Sequence, residues 1–230
     1  MTAVAAPAAA PSLEWARWIP AGVRIAARRR RDRAAAVAWA REALADPALV
    51  VLDCETTGLF GAGRPDPRVV ELAVLAGDGS VLLDTLVDPG APIPAAASAL
   101  HHITDETVAG APSFAQILTE LEMVLTGRRV VIYNARYDTE VLALELARAH
   151  GVSPADIGGW WAARGVRIEC AMQQAAAHRG EWDHKRGRWR YPRLANHAAD
   201  AHRALSDCHA TLAAITEIAD GRPRSWWRMF

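Results

Sequence analysis

The sequence predicts an α/β protein in which a mixed β-sheet carries helices on its faces. Three observations lead there. Five short apolar runs have strand composition: 49–55, 68–77, 80–90, 129–134 and 166–170. The first three follow one another through turn residues, whereas the last two alternate with helical patterns, which calls for antiparallel and parallel pairing in one sheet. Finally, 230 residues, 51% of them apolar and without an internal repeat, suffice for one well-buried domain.

The elements follow in order. Residues 1–12 are Ala/Pro low complexity with no means of building a core. An Ala-rich helix is expected over 33–45, ended by Asp46-Pro47. The run 49–55 is a strand, and "FGAGRPDPR" is the loop after it. Gly77-Asp78-Gly79 marks the turn of a hairpin between the next two strands. A short helix is expected at 95–101, and another after Thr104, which serves as its cap. Phe114, Ile117, Leu118, Leu121 and Leu125 recur at helical spacing, and Gly127 stops that helix. Strand 129–134 feeds a helix closed by Gly151, and strand 166–170 feeds a helix over 170–179. An irregular Arg- and Trp-rich stretch over 180–193, a short helix at 193–200 and a long one over 202–219 complete the domain. The expected boundaries are an extension with a helix over 1–46, a domain over 47–220 and a tail over 221–230.

Formal net charge is zero, so anion binding must come from local patches. No apolar run is long enough to cross a membrane. The start has no basic n-region or Leu-rich core, the pattern of a secretory signal. Three scattered cysteines, Cys54, Cys170 and Cys208, match neither a disulfide framework nor a zinc site, and a cytoplasmic setting is expected.

The chemistry concentrates at the end of the first strand. In "VVLDCETTGL", Asp53 and Glu55 follow a buried apolar run. Residues i and i+2 share a face, so both carboxylates leave the sheet together while Cys54 turns away. Two like charges side by side are destabilising without a cation between them. Asp138, one turn into the helix after strand 129–134, lies where functional sites collect in parallel sheets. Asp207 lies in the last helix with His202 five residues before it. Singly, Asp138 could be a helix-dipole partner and His202 a cap; jointly, the four acids and the histidine form an oxygen-rich set suited to Mg²⁺ or Mn²⁺.

The motifs "DCETTGL", "HHITDE", "YNARYD" and "HRALSD" occur in an order that resembles the DEDDh 3′–5′ exonucleases. These are the ribonuclease H-like enzymes typified by the proofreading epsilon subunit of DNA polymerase III, and the resemblance covers roughly residues 48 to 219. It implies a ribonuclease H-like fold with a five-stranded mixed sheet. It further implies that Asp53, Glu55, Asp138 and Asp207 bind two metal ions and that His202 is the general base. Thr56, Thr57, Gly58 and Leu59 would hold the terminal nucleotide, with His101 and Asn134 also in contact. Family members often carry Gly where this chain has His102, His where it has Tyr133, and Phe where it has Tyr137. The expected activity is release of nucleoside 5′-monophosphates from single-stranded 3′ ends, most simply of DNA in proofreading or repair. The expected partners are nucleic acid and, in trans, a polymerase or other replication or repair protein. The rival readings are a 3′–5′ exoribonuclease and an inactive nucleic-acid-binding module of the same fold. The residues 178–193 add Trp189 as a candidate stacking platform among arginines, with a core role for its tryptophans as the equal alternative.

Overall fold

The computed structural model describes residues 20–196 and 201–221. Its five-stranded sheet has the order β3-β2-β1-β4-β5, formed by β1 (Leu49–Thr56), β2 (Val69–Ala76), β3 (Val81–Leu86), β4 (Arg129–Ile132) and β5 (Arg167–Cys170). β1 lies at the centre. It pairs antiparallel with β2 and parallel with β4, which in turn pairs parallel with β5.

The period of two in β1 divides the core into two layers. Val50, Leu52 and Cys54 face a cluster with Ile117, Leu121, Leu142 and Leu146, contributed by α4 (Phe114–Leu125) and α5 (Ala135–His150). Leu49 and Val51 face the other way, into a cluster with α1 (Ala21–Ala45), α7 (Ala171–Arg179) and α8 (Ala204–Asp220). Asp53 and Glu55 continue the Leu49–Val51 row, so they emerge on the face covered by α8. The register shifts between Glu55 and Thr56, a bulge that ends the pairing where the acids appear.

Helix α1 begins twelve residues before the expected start at 33. Its Ala36, Ala40 and Ala43 are fully buried. These small side chains at i, i+4 and i+7 let α1 lie close against α7 and α8. The last turns of this stretch, which composition set apart as an extension, therefore belong to the core. Arg129, 2% exposed, ties α1 to the sheet through Glu42 (3.2 Å) and Glu169 (2.9 Å).

The connections carry the remaining elements. α2 (Ala95–His101) and α3 (Asp105–Val108) follow the β2–β3 hairpin, and Thr104 and Thr107 form a capping box on α3. α6 (Gly158–Ala163) was not foreseen; its Trp160 and Trp161 pack edge-to-face at 4.6 Å beside the α5 layer. The stretch expected to be irregular contains a two-stranded hairpin, β6 (Trp182–Asp183) and β7 (Arg188–Trp189). Residues 193–196 are not helical, and the rest of the short helix expected at 193–200 lies outside the described residues, as does most of the tail.

Candidate active site

At the carboxyl end of β1, Asp53, Glu55 and Asp207 bring carboxylate oxygens within 4.8 Å of one another. Asp207 stands in the first turn of α8, where its charge meets the positive end of the helix. Cys208 beside it is buried, and its thiol points to the carbonyls of Val51 and Ala73, which seats the helix on β1 and β2. Asn196 donates to Asp207 Oδ1 at 2.6 Å and aims the carboxylate.

Asp138 approaches from the other layer. It is 5% exposed in the first turn of α5, and the Cys54 thiol donates to its Oδ1 at 3.3 Å. The alternation that sends Asp53 and Glu55 to one face thus sends Cys54 to hold Asp138.

Burial and mutual repulsion govern these acids. Burial, then Asp138, Glu55 and Asp207, pushes Asp53 well above the carboxylate range. Burial and the nearby Asp207, Glu71 and Asp138 push Glu55 up to about 8. Asp138 is pushed up to about 6 by burial, against the pull of the Cys54 hydrogen bond. Such a set of clustered, partly desolvated oxygen donors fits a hard divalent cation, which would replace the retained protons.

His202 is exposed in the turn before α8, in the left-handed region at φ 64°. The next residue, Arg203, pairs with Glu71 of β2, whose carboxylate also accepts the Ala204 N–H at 2.8 Å. Glu71 is 3% exposed and stands opposite Glu55 in the β1–β2 register. Sequence reasoning passed over Glu71, Arg203 and Asn196. The available signal for Glu71 was a carboxylate interrupting the apolar run "RVVELAVLAG".

The turn after β1 is pinned from several sides. Gly58, at φ 154°, occupies backbone space that side chains disfavour. The Tyr137 hydroxyl donates to Gly58 O at 2.5 Å and lies 2.6 Å from Thr56 Oγ1. Thr57 Oγ1 accepts the Arg68 N–H at 3.0 Å. Leu59 is 63% exposed and free to meet a ligand, and Phe60 packs edge-to-face on Tyr137 at 5.7 Å. Asn134 is exposed at the end of β4.

Two expected contacts are placed differently. His101 is 1% exposed, with Nδ1 accepting the Ile103 N–H at 3.1 Å, which leaves Nε2–H to donate to Thr56 O at 3.2 Å. It supports the turn from beneath and offers no face to a nucleotide. Trp189 is 7% exposed; its indole N–H bonds Asp32 at 2.9 Å and its ring meets Trp182 edge-on. The ring that was expected to stack on bases is occupied by α1. His102 ends α2 in the left-handed region at φ 60°, the conformation in which glycine is at home.

Residues 50–215 match the family model described as Exonuclease (RNase_T). The chain belongs to this exonuclease family. The match takes in every acid above and His202, and leaves the whole of α1 outside. The exonuclease is 36% identical over 180 residues to an uncharacterized exonuclease, CP81, of Escherichia phage 186, covering 75% of this chain and 88% of that protein. It is 41% identical over 99 residues to a DNA polymerase III subunit epsilon-like protein of Rhodobacter capsulatus, covering 40% of this chain and 14% of that one. A DNA polymerase III subunit epsilon of Treponema pallidum is 31% identical over 103 residues, 44% of this chain and 46% of its own. The exonuclease thus spans less than half the length of the two polymerase-related proteins. Among solved structures, Escherichia coli Exonuclease I in complex with a dT13 oligonucleotide superposes with a TM-score of 0.59 at 19% identity, over 77% of this chain and 42% of that one. That likeness is one of fold, and it agrees with the five-stranded mixed sheet flanked by helices. No described helix of the exonuclease is long and apolar enough to cross a membrane.

Proposed function

We propose that this exonuclease removes nucleotides from the 3′ end of DNA, releasing nucleoside 5′-monophosphates. The observation that carries the reading is the convergence of Asp53, Glu55 and Asp207 from two elements about 150 residues apart, with Asp138 behind them and His202 on the adjoining turn. Two divalent ions, Mg²⁺ or Mn²⁺, held by these four acids would acidify a water and neutralise charge at the scissile phosphate.

The chain's own residues supply the rest. The terminal nucleotide enters beside the turn 56–60, where Leu59 presents apolar surface to the last base and the Thr57 and Gly58 backbone faces the sugar. Asn134 borders the same opening. His202 Nδ1 or Nε2 takes the proton from the attacking water as its oxygen bonds to phosphorus. The bond from phosphorus to the 3′-oxygen of the preceding nucleotide breaks, and that oxygen takes a proton from solvent. Being exposed, His202 can return its proton to water between turnovers.

DNA as substrate is supported by the relatives named for DNA polymerase III. The test is a gel assay of the purified chain on 5′-labelled DNA and RNA, single- and double-stranded, with Mg²⁺ or Mn²⁺. Successive shortening from the 3′ end of DNA is expected, with loss in EDTA and in Asp53→Asn. For His202→Ala the expected loss is about 10²- to 10⁴-fold with metal affinity retained. Full activity in EDTA overturns the metal reading, and preference for RNA moves the substrate to the exoribonuclease class.

A further inference from the structure

The first three turns of α1 form a second cluster of charge, of opposite sign to the active site. Residues 24–31 hold five arginines and no acid in a chain whose formal charges cancel overall. This part of the helix buries nothing comparable to Ala36, Ala40 and Ala43, and Arg24, Arg29 and Arg30 are exposed. Arg24, Arg28 and Arg31 lie at i, i+4 and i+7 and share one stripe. Like charges at that spacing repel and destabilise a helix. Asp32 relieves only part of this, through Arg28 at 3.1 Å and Arg31 at 3.0 Å.

The β6–β7 hairpin meets this helix with more of the same charge. Residues 184–193 contain Lys185, Arg186, Arg188, Arg190 and Arg193, against which the hairpin sets one acid, Asp183, paired with Arg186 at 3.4 Å. The aromatic residues weld the two together. The Arg28 guanidinium lies 5.0 Å from the Trp182 ring centre, and Trp189 bonds Asp32 at 2.9 Å. Arg31 is 76% and Arg186 70% exposed, so the charge is presented outward. From the hairpin the chain runs directly to the site: the Tyr133 hydroxyl donates to Pro192 O at 3.2 Å, and Asn196 holds Asp207.

We propose that the amino-terminal turns of α1 and the β6–β7 hairpin form one phosphate-binding face that holds the nucleic-acid strand behind its 3′ end. The tryptophans of this region build the surface and the arginines contact the ligand. Arg24 to Arg31 spans about 10 Å of helix, the reach of roughly three phosphates along a strand. Guanidinium forks suit phosphate oxygens without reading sequence, as an enzyme that must travel along any strand requires. This proposal rests on nucleic acid being the substrate, and it adds a length requirement: strands long enough to reach α1 are held tightly, and a dinucleotide is not.

The test compares the full chain with Arg24→Gln/Arg31→Gln, residues outside the cluster of Asp53, Glu55 and Asp207. Binding of a labelled 20-nucleotide strand is followed by fluorescence anisotropy in EDTA across a NaCl series, and hydrolysis of a dinucleotide is measured with Mg²⁺. The double variant should bind the 20-mer roughly 5- to 30-fold more weakly near 0.1 M salt. Its slope of log affinity on log salt should shrink by about 1.4, two released counterions on a single strand. Dinucleotide hydrolysis should stay unchanged. Unaltered affinity and slope overturn the proposal, and so does an equal fall in dinucleotide hydrolysis. Salt-dependent binding without cleavage by the wild-type chain refutes the exonuclease reading alone, since the binding comparison is made without turnover.

Discussion

Arg203 closes on Glu71 across 132 positions of sequence, its Nε 2.9 and 3.0 Å from the two carboxylate oxygens. The same carboxylate accepts the Ala204 N–H, so it caps α8 from the neighbouring strand where no side chain of the helix does so. His202 precedes this clamp and Asp207 follows it within a turn. The pair therefore fixes the turn that holds His202 at a positive φ, a conformation with an intrinsic penalty of about 1 kcal/mol.

Glu71→Gln should consequently lower kcat at least tenfold with little change in KM, because the carboxamide keeps the shape and loses the charge that holds Arg203. The loss of stability should be about 1–3 kcal/mol by urea denaturation, since Arg203 is 40% exposed and water compensates part of the pair. Arg203→Lys should retain more activity than Arg203→Ala. Wild-type kinetics in Glu71→Gln would show that the clamp has no part in positioning His202.

The metal-free protein should lose stability as pH rises from about 4.5 to about 8. Glu55 binds its proton more tightly folded than unfolded, being pushed from 4.5 up to about 8 by burial and its neighbouring acids. Stability from this group is thus fully present below the unfolded pKa and is lost as pH climbs through the folded one. Thermal melts in EDTA across this range should show the decline, and Glu55→Gln should make it shallower while the raised Asp53 and Asp138 keep part of it. Adding Mg²⁺ should raise the melting temperature most at the alkaline end. A melting temperature in EDTA that rises over this interval, equally in wild type and Glu55→Gln, contradicts the assignment.

Tyr137→Phe removes a hydroxyl that holds both Gly58 O and Thr56 Oγ1. The ring stays to pack against Phe60. The expected result is a rise in KM of several-fold for a single-stranded substrate with kcat within about threefold, because the turn bearing Leu59 loosens. Stability should fall by about 1 kcal/mol, the ordinary value of a hydrogen bond. A fall in kcat alone would place the tyrosine hydroxyl in the chemical step.

Ala40→Leu introduces bulk where α1 meets the layer of α7 and α8, at a position with no exposed surface. Overpacking there should cost about 1–3 kcal/mol in a single cooperative unfolding transition. An unchanged denaturation midpoint would mean that α1 is dispensable to the core.

The five strands and most of the helices were legible because their signals are local. Apolar alternation, Gly77-Asp78-Gly79 and the Thr104 cap each act within a few residues. The period of two in β1 was enough to send Asp53 and Glu55 to one face and Cys54 to the other, and the order of four short motifs pointed to the exonuclease family. What that period cannot disclose is which partner waits on each face. The Cys54–Asp138 and Arg203–Glu71 contacts join residues 84 and 132 positions apart, and they exist because α5 and α8 cover opposite layers. The same physics explains His101 and Trp189. Residue type makes each a reasonable ligand contact, but exposure depends on neighbours from distant sequence, and here β1 and α1 have taken those faces. Charge repulsion could be read from sequence for the acids, whereas the arginines of α1 lay outside the expected helix; only folding sets the carboxylates around a common centre and the arginines along a common surface.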